Sequence, residues 1–154
     1  MTFQILLAIH ILSAVVFLGN IITAAFWKVR ADRSGSLEAI AATAKAISTA
    51  DYAFTLPGLA GLLVTGILMV GMTGWQRFQE PWLGGSLVLL IITALIWLGL
   101  LLPLQRRMAR LAQASVQQGT LDPAYTKASK QWAMYGGIAT LLPVIILFLM
   151  VLKP

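Results

Sequence analysis

The chain contains a single histidine, His10, inside an apolar run from Phe3 to Trp27. An imidazole in that setting can bind haem iron axially, relay protons, hold a metal or bond a neighbouring hydroxyl. At 100° per residue it shares a narrow helical arc with Phe3, Ser13, Phe17, Asn20 and Ala24, an arc that carries nearly all the polarity of the run. A second run places Asp51, Thr55, Gly58, Gly61, Thr65, Met69 and Met72 on one side. If this run returns antiparallel to the first, Met69 reaches the depth of His10. A thioether facing an imidazole completes a haem site, and with Met72 it offers soft ligands for copper. Ser13 or Thr65 could orient the imidazole through its other nitrogen. One histidine cannot give bis-histidine ligation within one chain, which would need a homodimer sharing one cofactor.

Other candidates carry less chemistry. Asp51 opens the second run, where a carboxylate suits a helix N-terminus and can pair with a loop arginine. Arg106, Arg107 and Arg110 form a basic turn for which anionic headgroups suffice. They lie on the membrane face opposite His10, away from the propionates of any haem held there. The chain has no Walker loop, no metalloprotease motif and no Ser/His/Asp constellation. It has no cysteine, which excludes disulfides, thiolate metal sites and thiol nucleophiles.

The elements that must position these residues are membrane helices. Only 10% of the 154 residues are charged and 59% are hydrophobic, whereas a soluble domain carries about a quarter charged. Four apolar runs, about 3–27, 51–74, 82–104 and 132–152, each have the roughly 20 residues that a bilayer core of about 30 Å demands. With no water to satisfy the backbone, such runs must be helical. The expected fold is all-α, a polytopic membrane four-helix bundle in one domain. Helical extensions are expected over about 37–50, 105–118 and 123–131. Ser36 and Asp122 serve as N-caps, Pro123 follows at the first helical position, and Gly119 is a stop. Pro57, Pro103 and Pro143 are expected to bend or end their helices. Trp75, Trp82 and Trp132 suit an interfacial aromatic belt, and Ala133, Gly136 and Thr140 align as a packing stripe on the last span.

The net charge of +6 comes from 11 basic and 5 acidic residues. Lys28, Arg30, Arg33 and Lys45 lie between the first two runs, and Arg106, Arg107, Arg110, Lys127 and Lys130 between the last two. The positive-inside rule therefore puts both loops in the cytoplasm and both termini outside, and it accounts for the charge without a nucleic-acid partner. The first run has no basic segment before it and is too long for a signal-peptide core, so it reads as a retained span.

The stretch His10-Ile-Leu-Ser-Ala-Val-Val-Phe17-Leu18-Gly19-Asn20 resembles the first helix of the CopD-like group of bacterial membrane proteins. There a histidine precedes an aromatic by seven residues, followed by an aliphatic residue and a glycine. Phe17 stands where Trp is common, and Asn20 where a second Gly is common. Arg30-Ala-Asp-Arg33-Ser-Gly35, Ala50-Asp51-Tyr-Ala-Phe-Thr55, Pro57, Val64-Thr65-Gly66 and the Lys-Pro terminus resemble one branch, bacterial integral membrane proteins of unassigned function. The wider group includes copper-resistance proteins and HemJ-like haem-binding oxidases, whose first-helix histidine corresponds to His10. The chain lacks the second histidine of the richer relatives. The resemblance implies a bacterial inner-membrane protein that binds b-type haem through His10, with Met69 as second ligand, for electron transfer or a related redox step. Two other expectations stand beside it. One is a non-enzymatic subunit or assembly factor packing on a membrane-protein partner, and the other is copper handling by His10, Met69 and Met72.

Overall fold

The computed structural model describes residues 2–154, and among them every regular element is helical. Helix α1 spans Phe3–Ser34, α2 Leu37–Ala50, α3 Leu56–Thr73, α4 Pro81–Ile96, α5 Leu102–Gln118 and α6 Pro123–Leu152. A π-helical turn at Asp51–Thr55 fuses α2 to α3, and another at Trp97–Leu101 fuses α4 to α5. The result is four rods, Phe3–Ser34, Leu37–Thr73, Pro81–Gln118 and Pro123–Leu152, each long and apolar enough to cross a membrane. The chain is an all-helical, multi-pass membrane bundle. At 1.5 Å per residue the two fused rods run to about 55 Å, so each extends some 25 Å past the hydrocarbon core. Val15, Leu95 and Phe148 are exposed, as a lipid-facing surface requires.

Local sequence explains the rod ends. Gly35 and Gly119 take the left-handed conformation (φ 70° and 73°) that closes α1 and α5. The Ser36 hydroxyl accepts the Ala39 N–H at 3.2 Å, and the Asp122 carboxylate accepts that of Ala124 at 2.8 Å, as expected of N-caps. Helix α1 does not stop at Trp27 but continues to Ser34, so Lys28, Arg30 and Arg33 stand on a helix and not in a loop.

The π-turns follow from proline. Pro57 and Pro103 have no N–H, and in an α-helix their rings would press on the carbonyls of Ala53 and Gly99. The chain widens instead. Leu56 N–H bonds Asp51 O, and Leu102 N–H bonds Trp97 O, each five residues back. Pro143 ends nothing, and α6 runs through it to Leu152.

The rods are packed unevenly along their length. One end carries nine of the eleven basic residues, and the other holds Arg77, Lys153 and the two ends of the described chain. At the basic end α2 packs on α5, and the main apolar cluster lies there: Ile40, Ala44, Trp97, Met108, Ala112 and Ala128 are among its members. Trp132 joins this cluster and not an interfacial belt, whereas Trp75 is exposed. Towards the terminal end α3 packs on α1 and α4 on α6, but α3 and α4 make no extensive contact. The α1–α3 seam is close. A Cβ at Gly58 would lie 2.9 Å from Phe17 Cβ, and one at Gly61 would strike the Ser13 hydroxyl. Ala133 is exposed, and Trp132, Ala139 and Pro143 form the buried face of α6 in its place.

Candidate functional site

His10 and Asp51 sit in two polar layers on the same α1–rod-two seam. In the layer towards the terminal end, His10 Nδ1 lies 2.8 Å from Thr65 Oγ1. That hydroxyl is also 2.5 Å from the Gly61 carbonyl oxygen. Two oxygens that close need a proton between them, and a hydroxyl has one to give. Thr65 therefore donates to Gly61 and accepts from His10. The imidazole then carries its proton on Nδ1, the Leu62 backbone is also within its hydrogen-bonding reach, and among the described residues no partner of Nε2 is found.

Beside His10 lies a cleft where α3 and α4 part. Its lining includes Leu62, Gly66 and Val70 of α3, Ser86 and Leu90 of α4, and Met150 of α6. The cavity measures about 70 Å³. Ser86 donates its hydroxyl proton to the Trp82 carbonyl at 2.6 Å, so the walls present little polarity apart from the histidine. Phe78 and Leu83 also line the cleft, and close to them in the chain Trp82 has cations within reach. The Arg77 guanidinium lies 5.7 Å and Lys153 Nζ 5.3 Å from its ring.

The remaining expected ligands are dispersed. Ser13 donates to the Ile9 carbonyl at 2.8 Å and does not orient the imidazole. Thr65 and Gly66 are level with His10, so Met69 lies one turn further along α3 and does not line the cleft. Met72 is 55% exposed. The methionine that does line the cleft is Met150, on the last span and so outside the pairing of the first two. Among the described residues no cluster of three or more His, Cys, Asp or Glu is placed to hold a metal ion.

The second layer is built on Asp51, 3% exposed, in the first π-turn. Its Oδ1 accepts from Asn20 Nδ2 at 2.9 Å and from Thr55 Oγ1 at 2.7 Å. Its Oδ2 accepts from Trp97 Nε1 at 3.1 Å and Gln105 Nε2 at 2.6 Å. The second Asn20 N–H goes to Thr55 Oγ1 at 2.9 Å. The expected arginine is absent: the ion pairs among the described residues are Lys28–Asp32 and Arg77–Glu80. Four neutral donors from three rods hold the carboxylate. Gln105 Oε1 is the one buried oxygen of this group without a partner.

Further towards the basic end, buried Lys28 pairs with Asp32 and donates to Ser129, while Tyr125 donates to Asp32 at 2.7 Å. Lys28 also lies 5.6 Å from the centres of the Tyr125 and Trp132 rings. Burial and the Asp32 carboxylate hold the Tyr125 phenol above its ordinary range. Lys28 thus clasps α1 to α6 and is not a free loop charge.

Four membrane-length rods pinned by polar layers define a polytopic integral membrane protein. Residues 4–154 match the family described as predicted integral membrane protein (DUF2269), and the chain belongs to that family. No curated protein and no solved structure matches it.

Proposed function

We propose that the chain is a bacterial inner-membrane haem protein, with the basic end in the cytoplasm and the cleft towards the outer leaflet. The observation that carries this reading is the state of His10. Its Nδ1 is held by Thr65, its ring lines an apolar cleft, and among the described residues no partner of Nε2 is found. Metal-binding histidines are characteristically held this way, with the second nitrogen hydrogen-bonded.

The donor set fits a b-type haem in chemistry: a neutral imidazole, apolar walls and the thioether of Met150. Arg77, already paired with Glu80, and Lys153 lie near Trp82 and do not line the cleft. The enclosed volume of about 70 Å³ does not hold a porphyrin by itself. Cofactor pockets typically measure roughly 300–1,000 Å³, so α3 and α4 would have to part further for a porphyrin to enter. Bound haem would supply one-electron chemistry for electron transfer or a related redox step. His10 would hold it, Thr65 would position His10, and the apolar walls would exclude water.

Copper handling finds less support, because Met69 and Met72 do not converge on His10. A cofactor-free subunit or assembly factor is supported by Gly19, Gly99 and Gly137, which are exposed with open space beside them.

Oxidised and dithionite-reduced absorption spectra of the purified chain, expressed with ample haem supply, decide between these readings. A Soret band and a sharpened reduced α-band are expected, and both should vanish in a folded His10→Ala variant. A featureless wild-type spectrum, or a band undiminished in His10→Ala, would overturn the haem reading and leave the subunit reading in front.

A further inference from the structure

At the basic end a groove of about 690 Å³ opens between α2 and α5, lined by Lys45, Ser48, Thr49, Tyr52, Arg106, Ala109 and Arg110. It offers three cations and three hydroxyls, and no carboxylate is among its lining residues. None of the three cations belongs to an ion pair among the described residues. The groove's floor is fixed by the buried pin behind it. Gln105 donates to Asp51 on the inner side, and the next residue on each helix repeats the link outside, with Arg106 Nη2 donating to Tyr52 Oη at 2.5 Å. The two helices therefore cannot slide, and the cations hold a set spacing. Trp27, Tyr52 and Phe54 are exposed near this level, and such aromatic residues mark a membrane–water boundary.

We propose that this groove binds the phosphate of an anionic phospholipid headgroup. Arg106 and Arg110, one turn apart on α5, supply guanidinium forks suited to phosphate oxygens, and Lys45 adds a point charge from the opposite wall. Ser48 and Thr49 provide hydroxyls for a glycerol or second phosphate. The groove opens at the aromatic boundary, so the acyl chains can remain along the exposed apolar flanks of the rods. The proposal is independent of haem at His10.

The test is native mass spectrometry of the full chain in mild detergent with added phosphatidylglycerol or phosphatidylcholine. Wild type should retain phosphatidylglycerol in preference. Arg106→Gln/Arg110→Gln should lower that retention roughly 30-fold, from about one tenfold step per 1.4 kcal/mol and about 1 kcal/mol per basic residue. Arg30→Gln/Arg33→Gln removes the same charge from the same end, on exposed positions of α1, and should lower it only a few-fold. Equal loss in the two variants, or no loss in the first, overturns the groove. Displacement of the lipid by inorganic phosphate at comparable concentration would overturn the lipid and make free phosphate the ligand. Circular dichroism confirms that each variant is folded.

Discussion

The two polar layers of the α1–rod-two seam differ in what they leave unused. Around Asp51 four donors converge on one carboxylate, three rods are tied together, and the main apolar cluster surrounds the tie. Around His10 the Thr65 hydroxyl and the Leu62 backbone hold the ring, no partner of Nε2 is found among the described residues, and two of the rods stand apart beside it. A buried polar group whose capacity is filled is best read as structure, because nothing remains for a ligand to satisfy. One with capacity left over still has something to offer a ligand.

The comparison breaks first at Asp51. Asp51→Ala would leave the donors of Asn20, Thr55, Trp97 and Gln105 buried with fewer partners, at about 1 kcal/mol or more each. A loss of about 4 kcal/mol is expected in detergent-titrated unfolding, while His10-dependent absorbance per folded molecule stays unchanged. Asp51→Asn should lose less than half of that, because its amide can donate to Gln105 Oε1 once that side chain turns over. Wild-type stability in Asp51→Ala would remove the contrast between the layers.

Thr65→Val sharpens the other side. It removes the acceptor of His10 Nδ1–H and frees the ring to change tautomer. The fold should lose only about 1 kcal/mol, while haem affinity falls about 10–100-fold, the usual effect of removing such a partner. An unchanged haem titration would show that the Thr65 bond is packing and nothing more.

The smallest effect belongs to the α1–α6 clasp. Tyr125→Phe should cost about 1 kcal/mol near neutral pH. The Tyr125 phenol is raised in the folded chain relative to 10.0 in the unfolded one. Its contribution is therefore fully present below about pH 10 and declines as pH rises beyond it, since the unfolded chain loses that proton first. In Tyr125→Phe this alkaline decline should be absent from the pH dependence of the unfolding midpoint.

Much of this was legible in the sequence. The four spans, the caps at Ser36 and Asp122, the stop at Gly119 and the pairing of Thr65 with His10 all follow from apolar length, capping chemistry and helical spacing. The surroundings of Asp51 did not, because they depend on residues brought from α1 and rod three, and because two π-turns shift the phase of the pattern. A signal was present nonetheless. Ile47, Asp51, Thr55 and Leu59 are all buried at intervals of four, as are Thr93, Trp97, Leu101 and Gln105. A straight α-helix would carry such a series off its face by about 40° per step. Persistent intervals of four that end beside a proline therefore point to a widened turn. Met150 escaped for a different reason: this lining residue of the cleft comes from the last helix, and no local pattern links it to His10.

The π-turns bear on how this chain tolerates changes of length. One missing residue within a straight membrane rod turns everything beyond it by about 100°, exchanging lipid-facing for core-facing side chains. Each π-turn already holds one residue more than an α-helical turn. A single deletion within 51–55 or 97–101 would leave the flanking halves facing as they do now and closed by ordinary four-residue bonds. The disturbance would stay local, with the ring of Pro57 or Pro103 pressed on the carbonyl behind it and the buried carboxylate drawn out of register with its donors. These two places are where the rods can lose a residue without the whole bundle being rewritten.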